Sequence, residues 1–239
     1  MTGTASYEQL NIPEAIKYPR GLSLSGPWSG AHGPHLTFVA SEDFRQTAKV
    51  VPSPSSPAAN DKALLRFEAR RRRDAFVASL SQAERDDLEI ALCELLEPLV
   101  QESAQFAIYS PIGSEIGLTR LAPCDPAYPA FASREAPMVF RSGHCAEDCP
   151  WGGVQPPHQA SEVTPDLVFV PLLAVDRRGH RLGQGGGHYD CALPALRAAG
   201  TQIIGVGWAM QLIEGDLPDD PWDVPLDGFA SPEGLEMFR

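Results

Sequence analysis

Hydrophobic and polar positions divide the chain into two parts. Residues 1–60 show no sustained hydrophobic period, and prolines and glycines interrupt them throughout. The run 51–57, in which every second or third residue is proline, is typical of an extended linker. From about residue 61 the pattern alternates between helical and strand periods. We therefore predict a flexible, irregular N-terminal extension over 1–60 and a single ordered domain over 61–239.

Two helices are predicted where the ordered part begins. Asn60 and Asp61 are both residues that cap helix N-termini, and an apolar stripe at helical spacing follows them. The segment 81–84, Ser-Gln-Ala-Glu, has the pattern of a capping box and predicts the start of a second helix. We expect Pro98 to kink or end that helix. Its predicted core face consists of Leu88, Ala91, Leu92, Leu95, Leu96 and Leu99.

Short apolar runs separated by helical stretches predict a sheet. The continuous apolar runs 106–109, 167–170 and 203–206 are strand candidates, and 138–140 is a weaker one. Apolar runs without polar alternation are typical of strands that are covered on both faces. A helix is predicted over 192–199, with Gly200 as its stop. This alternation indicates an α/β fold, a three-layer sandwich with a mostly parallel sheet flanked by helices.

The composition narrows the class of partner and the compartment. The 239 residues carry a net charge of −12, whereas proteins that bind nucleic-acid backbones or anionic lipid surfaces normally carry a basic excess. We therefore expect no nucleic-acid partner and no membrane association. The five cysteines are an odd, scattered set, no signal-peptide pattern opens the chain, and no apolar run reaches membrane-spanning length. These features predict a cytoplasmic protein, and we expect a monomer.

The most informative motif lies within residues 170–190. A buried strand leads into a loop with glycines at positions 183, 185, 186 and 187, and a helix follows. Glycines permit positive φ and close approach of a ligand, and N–H groups at a helix start attract phosphate. Arg181 adds a planar cation suited to phosphate oxygens. The loop matches neither a Walker sequence nor a dinucleotide fingerprint, because His188 and Tyr189 follow its last glycine. The alternative is a flexible turn without a ligand.

A cationic stripe on the first predicted helix is a second candidate element for binding anions. At about 100° per residue, Lys62, Arg66 and Arg73 fall within roughly 40° of one another. They lie beside the apolar stripe formed by Leu65, Ala69 and Phe76. A cationic stripe next to a buried one can face a cleft. The simpler interpretation is that the arginine run 70–73 only solvates an exposed helix.

Several blocks of the sequence, in this order, carry a family resemblance. They are Lys-Ala-Leu-Leu-Arg at 62–66, Tyr-Ser-Pro-Ile-Gly-Ser-Glu-Ile at 109–116, Trp with Gln-Pro at 151–156, Asp-x-x-Gly-x-Arg-Leu-Gly-x-Gly-x-Gly-x-Tyr-Asp at 176–190, and a closing region with Ile-Gly-Val-Gly, Gln211, Leu217-Pro218 and Asp223-Val224. Together they span about residues 61–231 and resemble the 5-formyltetrahydrofolate cyclo-ligases, also called methenyltetrahydrofolate synthetases. The block at 176–190 is close to the family signature.

The resemblance implies an enzyme that closes 5-formyltetrahydrofolate to 5,10-methenyltetrahydrofolate with ATP and Mg²⁺, releasing ADP and phosphate. The formyl oxygen is a poor leaving group, so transfer of the γ-phosphoryl group onto that oxygen would precede attack by N10 of the folate. On this hypothesis the protein chiefly positions the reactants and neutralises charge.

The same resemblance implies roles for individual residues at the nucleotide. The phosphates would be held by Lys62, Arg66, Arg181 and the backbone of Gly183, Gly185 and Gly187, and Tyr189 would pack on the nucleotide or the reacting face. Among these, the candidate catalytic residues are Arg181, Tyr189 and Lys62. Asp190 and Asp223 would bind Mg²⁺, directly or through water. The alternative for Asp223 is one more carboxylate of an acidic C-terminal segment.

At the folate, the resemblance implies that the Glu115 carboxylate accepts hydrogen bonds from the pterin, with Tyr109 and Trp151 as aromatic walls. His188 is a further candidate for contact with the substrate. Glu115 has the alternative of a solvated loop carboxylate, and the two aromatic residues have the alternative of ordinary core or rim positions.

Four positions depart from the family pattern. His188 stands where many relatives have Tyr, Gln184 and Gly186 where basic residues occur, and Val175 where Phe is common. Loss of positive charge near the phosphates predicts weaker ATP affinity or a changed folate preference, and His188 offers a hydrogen-bonding group that titrates near neutral pH.

Other functions remain open from the sequence. One is a folate- or nucleotide-binding relative without catalysis, and another is a phosphosugar isomerase or acyl-CoA transferase on a related fold, which would turn over without ATP. The residues His144, Cys145, Cys149 and His158 suggest zinc, but their spacing is more typical of an ordinary loop.

Overall fold

A mixed eight-stranded sheet lies at the centre of the computed structural model, which describes residues 57–238. The helices are α1 (Pro57–Ser79), α2 (Gln82–Glu102) and α3 (His188–Ala198). The strands are β1 (Phe106–Ala107), β2 (Ala127–Ala130), β3 (Val139–Ser142), β4 (Glu147–Asp148), β5 (Val154–Gln155), β6 (Glu162–Val163), β7 (Leu167–Pro171), β8 (Ala174–Asp176), β9 (Arg181–Leu182), β10 (Gln202–Val206), β11 (Leu212–Ile213), β12 (Gly228–Ser231) and β13 (Gly234–Met237).

The large sheet has the order β13-β12-β10-β7-β1-β2-β3-β6. Its five central strands pair in parallel, and β13, β3 and β6 are attached antiparallel at the two sides. The smaller sheets are β11-β8-β9 and the hairpin β4-β5. Strand β7 lies between β1 and β10 and is buried over residues 167–170, as its continuous apolar run predicted.

Helices cover both faces of the sheet. Phe169 of β7 and Leu96 of α2 belong to one buried cluster, whereas the next residue along β7, Val170, clusters with Leu193 of α3. Because successive strand residues point to opposite faces, the two clusters are two separate interiors. The predicted α/β three-layer sandwich with a mostly parallel sheet is confirmed.

The predicted helices are present, with different bounds. Helix α1 begins at Pro57, before the expected caps, and proline suits a first helical turn because that position needs no N–H donor. The capping box at the start of α2 is confirmed, since Glu84 N donates to Ser81 Oγ over 3.2 Å and Ser81 N donates to Glu84 Oε2 over 2.7 Å. Helix α3 begins at His188, four residues before its expected start, and continues through Pro194.

Of the two outcomes expected at Pro98, an end of the helix is wrong, because α2 continues to Glu102. Pro98 lies on the exposed side of α2, where water can reach the carbonyl that loses its donor. The expected core face of α2 also needs one correction. Ala91 is exposed rather than in the core. The buried residues of α2 are Leu92, Cys93, Leu96 and Val100.

The predicted extension falls outside the described residues except for 57–60, which are the first residues of α1. Among the helices between residues 57 and 238, none combines the length and apolarity that crossing a membrane requires.

The packing of α2 generates a stability prediction. Leu96 is fully buried in the cluster between α2 and the sheet, and Leu96→Ala should lower the free energy of unfolding by about 2–5 kcal/mol through lost burial and a new cavity. Urea denaturation measures this change. The control is Leu64→Ala at an exposed leucine of α1, which should change the value by less than about 0.5 kcal/mol. Equal losses in the two variants would contradict the assigned core.

Candidate active site

A cavity of about 290 Å³ opens where parallel strands β1, β2 and β7 end. In α/β sheets, ligands bind at the carboxyl ends of the strands. The residues that line this cavity come from the loop after β1, the end of β2, the β4–β5 hairpin, the glycine-rich loop and the start of α3. All four predicted folate contacts, Tyr109, Glu115, Trp151 and His188, are among them.

Tyr109 forms the inner wall of the cavity. It follows β1, is buried, and donates its hydroxyl proton to the Ile116 carbonyl over 2.7 Å. Burial and the nearby charge of Glu115 raise the pKa of the Tyr109 hydroxyl well above its ordinary value. The hydroxyl therefore stays protonated over the physiological range and holds the loop that carries Glu115 in a closed turn.

Glu115 is a buried carboxylate, with 6% of its surface exposed. Its Oε2 accepts from Ile112 N over 2.9 Å, and its Oε1 accepts from Gln184 Nε2 over 3.0 Å. Arg73 Nη1 lies 3.8 Å from Oε1 and compensates the charge. Burial lowers the pKa of Arg73, and the charge of Glu115 opposes that effect. A solvated loop carboxylate, the alternative for Glu115, does not describe this environment.

Three aromatic rings form the opposite wall. The imidazole of His188 lies 4.8 Å from the ring of Phe131 and 4.5 Å from that of Trp151, centroid to centroid. Trp151 is 42% exposed and so lies at the rim. The hairpin that carries it is held by Gln155, whose side-chain amide exchanges two 3.0 Å hydrogen bonds with the backbone of Phe131.

The first half of the signature motif is a rigid turn. Asp176 is buried and accepts hydrogen bonds from the backbone N–H groups of Arg178, His180 and Leu217 over 2.9–3.0 Å. Gly179 has φ +83°, and a Cβ there would lie 2.6 Å from the Leu226 carbonyl oxygen, so only glycine fits. These contacts fix the β8–β9 hairpin, which places Arg181 at the cavity.

Arg181 enters the cavity with part of its donor capacity unused. Its side chain is 7% exposed, forms an ion pair with Asp190, and lies 5.8 Å from the centroid of the Tyr189 ring. Its Nε–H is buried and has no acceptor within the described part of the chain. A buried guanidinium with an unpaired donor is suited to an anionic ligand.

The glycine-rich loop completes the cavity. Gly185 and Gly187 have φ +95° and +73°, the left-handed region that favours glycine, and Gly187 is the residue before α3. Tyr189, in the first turn of α3, is half-buried, and burial and the charge of Glu115 raise the pKa of its hydroxyl. Gly183, Gly185 and Gly187 all line the cavity, as their predicted role requires.

Helix α1 packs against the outside of this loop. Arg66 Nε donates to the Gly183 carbonyl over 3.3 Å, and Arg70 Nη2 donates to Gln184 Oε1 over 2.8 Å. Lys62 pairs with Asp220 at 2.6 Å and Asp223 at 3.5 Å. Burial lowers the pKa of Lys62, but the hydrogen bond to Asp220 and the charges of both aspartates outweigh it, so the pKa is raised. The cationic stripe and the loop meet, but Lys62 and Arg66 do not line the cavity.

The two predicted magnesium ligands have different surroundings. Asp190 lines the cavity and pairs with Arg181, whereas Asp223 pairs with Lys62 and is not a lining residue. Between residues 57 and 238 there is no group of three or more His, Cys, Asp or Glu side chains that could hold a metal ion. Mg²⁺ binding by the Asp190 and Asp223 pair stays a prediction.

Sequence reasoning assigned no role to several residues that shape the site. Phe131 and Met138 line the cavity from the ends of β2 and β3, and Gln184 binds Glu115. Gln155 was part of a recognised block without an assigned function. Asp220 is closer to Lys62 than Asp223 is, and the only sequence signal was its place in the acidic C-terminal segment.

The aromatic wall generates a prediction about Gly186. A Cβ at this position would lie 2.9 Å from His188 Nε2, so Gly186→Ala should displace the imidazole from Phe131 and Trp151. The His188 ring-proton signals in a ¹H–¹³C spectrum should lose the shift that the two rings induce. Gly215→Ala is the control, because a Cβ there would contact no atom of the described residues within 4 Å. Unchanged His188 signals in Gly186→Ala would refute this packing.

Comparisons with known proteins agree with the motifs. The sequence profile of the 5-formyltetrahydrofolate cyclo-ligase family matches residues 131–232. The chain is 43% identical over 61 residues to the 5-formyltetrahydrofolate cyclo-ligase of Haemophilus influenzae, covering 26% of this chain and 32% of that protein. It is 42% identical over 67 residues to the Escherichia coli enzyme, covering 28% and 36%. The matched segment thus spans about a third of the length of these curated relatives.

Solved structures extend the similarity to most of the domain. The NMR structure of Aquifex aeolicus 5,10-methenyltetrahydrofolate synthetase superposes with a TM-score of 0.64 at 27% identity, covering 74% of this chain and 93% of that one. The Mycoplasma pneumoniae 5,10-methenyltetrahydrofolate synthetase gives a TM-score of 0.53 at 25% identity, covering 72% and 99%. The resemblance to the 5-formyltetrahydrofolate cyclo-ligase family that the motifs predicted is therefore confirmed, by the family profile over residues 131–232 and by the solved structures over most of the domain.

Proposed function

We propose that this protein is a ligase that converts 5-formyltetrahydrofolate to 5,10-methenyltetrahydrofolate with ATP, releasing ADP and phosphate. The observation that carries the proposal is that Glu115, the aromatic wall, Arg181 and the glycine-rich loop all line one cavity. One side of this cavity suits a pterin and the other suits phosphates, so the two substrates would meet inside it. The names of the relatives and structural neighbours support the same activity.

The reaction needs activation of the formyl oxygen. In the proposed sequence, the γ-phosphoryl group moves from ATP to that oxygen, which breaks the bond to the leaving ADP and gives an imino-phosphate. N10 of the same folate then attacks the activated carbon and loses its proton to water, and phosphate leaves with the former formyl oxygen. Holding both substrates in one cavity makes the first step effectively intramolecular, and that is the main contribution of the protein.

At the nucleotide, Arg181 would neutralise charge on the transferred group. Its buried guanidinium keeps a donor without an acceptor in the described region. The left-handed glycines Gly185 and Gly187 would supply backbone N–H groups to the same phosphates. Tyr189 would pack beside Arg181, with its hydroxyl protonated. Lys62 and Arg66 would act from behind the loop, where Arg66 holds the Gly183 carbonyl.

At the folate, Glu115 would accept the adjacent N–H donors of the pterin ring, and Trp151, His188 and Tyr109 would enclose the ring. The carboxylate has two oxygens with about four acceptor sites, of which Ile112 N and Gln184 Nε2 use two. Glu115 lines the same cavity as Tyr109, Trp151 and His188, and such a carboxylate beside aromatic side chains is the environment a flat heterocycle requires.

The family resemblance also implies Mg²⁺, which would shield the phosphates when bound. Two aspartates would be enough for an ion that arrives with the nucleotide, because Mg²⁺ in such sites takes one or two carboxylates besides phosphate and water. Asp190 lines the cavity and would be the nearer of the two candidate ligands, whereas Asp223 would need to leave Lys62.

The direct test is turnover. Purified protein with Mg-ATP and 5-formyltetrahydrofolate should produce the absorbance of the methenyl product at neutral pH, and omitting ATP should abolish it. Binding of both ligands without product would support the non-catalytic relative instead. Turnover of a sugar phosphate or an acyl-CoA without ATP would support the remaining alternative.

The division of the cavity predicts opposite defects for two variants. Arg181→Ala should raise the KM for ATP about 10- to 100-fold, because hydrogen bonds to charged groups are worth about 1.5–3 kcal/mol, and it should change the KM for folate less than about threefold. Glu115→Gln should do the reverse, because it replaces an acceptor that faces the pterin by an amide. Steady-state kinetics with each substrate varied in turn measure both effects.

Glu94→Gln, at an exposed glutamate of α2, is the control for charge loss away from the cavity and should leave both KM values unchanged. Similar losses for both substrates in each of the two cavity variants would undo the assignment of a nucleotide side and a folate side.

A further inference from the structure

Gln184 joins three parts of the molecule through one side chain. It belongs to the glycine-rich loop, its Nε2 donates to Glu115 Oε1 over 3.0 Å, and its Oε1 accepts from Arg70 Nη2 over 2.8 Å and from Arg70 Nε over 3.3 Å. The amide lies between a residue of α1 that is 114 positions away and a carboxylate that is 69 positions away. The glycines of the loop account for its backbone conformation, but they do not account for the two side-chain hydrogen-bond partners of Gln184.

The chemistry of the two partners specifies this residue type. A guanidinium can only donate and an ionised carboxylate can only accept, so the amide satisfies both in one orientation only. Glutamate at this position would serve Arg70 but repel Glu115. Lysine would serve Glu115 but repel Arg70, and the shorter asparagine would reach across less of the gap.

The bond from Gln184 also fixes the orientation of the Glu115 carboxylate. Ile112 N holds Oε2 and Gln184 Nε2 holds Oε1, so each oxygen has one fixed donor. Rotation of the carboxylate about the Cγ–Cδ bond by a quarter turn would break both hydrogen bonds. The acceptor sites that remain are thus held in one direction, and a ligand that uses them does not have to order the side chain first.

We propose that Gln184 is a positioning residue for the folate, acting by hydrogen bonding to Glu115. This inference rests on the proposed function, because it takes the folate to be the ligand of Glu115. The bond to Arg70 is a separate tie that holds the loop on α1, and the role of Gln184 at the folate does not depend on it.

Three variants separate the two ties. Gln184→Met keeps the length of the side chain and removes both hydrogen bonds. Gln184→Glu keeps an acceptor for Arg70 and removes the donor to Glu115, and Arg70→Ala does the opposite. Arg72→Ala, at an exposed arginine two residues further on α1, is the matched control. The dissociation constant of 5-formyltetrahydrofolate is measured by titration without ATP, and the KM for ATP is measured by turnover.

Gln184→Met and Gln184→Glu should each weaken folate binding about tenfold or more, because a hydrogen bond to a charged group is lost. Gln184→Glu should be the weaker binder, because it places a like charge beside Glu115. Arg70→Ala and Arg72→Ala should change the folate dissociation constant less than about threefold. The KM for ATP should stay within about threefold of the original in Gln184→Met, which adds no charge to the loop. Gln184→Glu adds a negative charge between Gly183 and Gly185 and should raise the KM for ATP as well, so it tests the folate side only through the dissociation constant.

Equal folate defects in Arg70→Ala and Gln184→Met would overturn the inference, because the side chain would then act by holding the loop. Unchanged folate binding in Gln184→Met would also overturn it. Melting temperatures of all variants identify any variant that loses the fold. If Gln184→Met is unfolded, folate binding by Gln184→Glu is compared with that of Arg70→Ala instead. If the unmodified protein fails to bind 5-formyltetrahydrofolate at all, the proposed function itself fails, and that result is distinct from the two above.

Discussion

The buried carboxylate of Glu115 is the constraint on which the candidate site depends. A charge removed from water is tolerated only when donors and an opposite charge surround it. The donors are Ile112 N and Gln184 Nε2, and the opposite charge is Arg73, itself 3% exposed. These partners come from the loop after β1, the glycine-rich loop and helix α1, so meeting the needs of one carboxylate brings three elements together around the cavity.

The two halves of the signature motif have different physical roles. Residues around Asp176 and Gly179 build a rigid turn, in which a buried carboxylate accepts backbone donors and a left-handed glycine lies against the Leu226 carbonyl. Residues from Arg181 onward line the cavity. The motif therefore combines a scaffold with a binding surface, and the scaffold sets the position of Arg181 at the cavity.

Much of the fold could be predicted because helix and strand periods are local. The capping box at 81–84, the buried strand at 167–170 and the parallel arrangement all follow from short-range patterns. The differences have local causes too. Helix α2 continues past Pro98 because that residue lies on the exposed side. Ala91 was expected in the core and is exposed, because helical spacing alone does not say which of two neighbouring apolar stripes packs on the sheet.

The sequence by itself determined the residue types of the site, since glycines, aromatic residues and charged residues stand at recognisable spacings. Only the tertiary structure decided which of them meet: Arg66 with the Gly183 carbonyl across 117 positions, and Lys62 with Asp220 across 158. In the folded chain, Lys62 and Arg66 lie outside the cavity, and Gln184 donates a hydrogen bond to Glu115. The reason is that hydrophobic periodicity is a local pattern that indicates which face of a helix or strand is buried. An ion pair depends instead on the distance between two side chains, and for residues far apart in the sequence only the tertiary fold sets that distance.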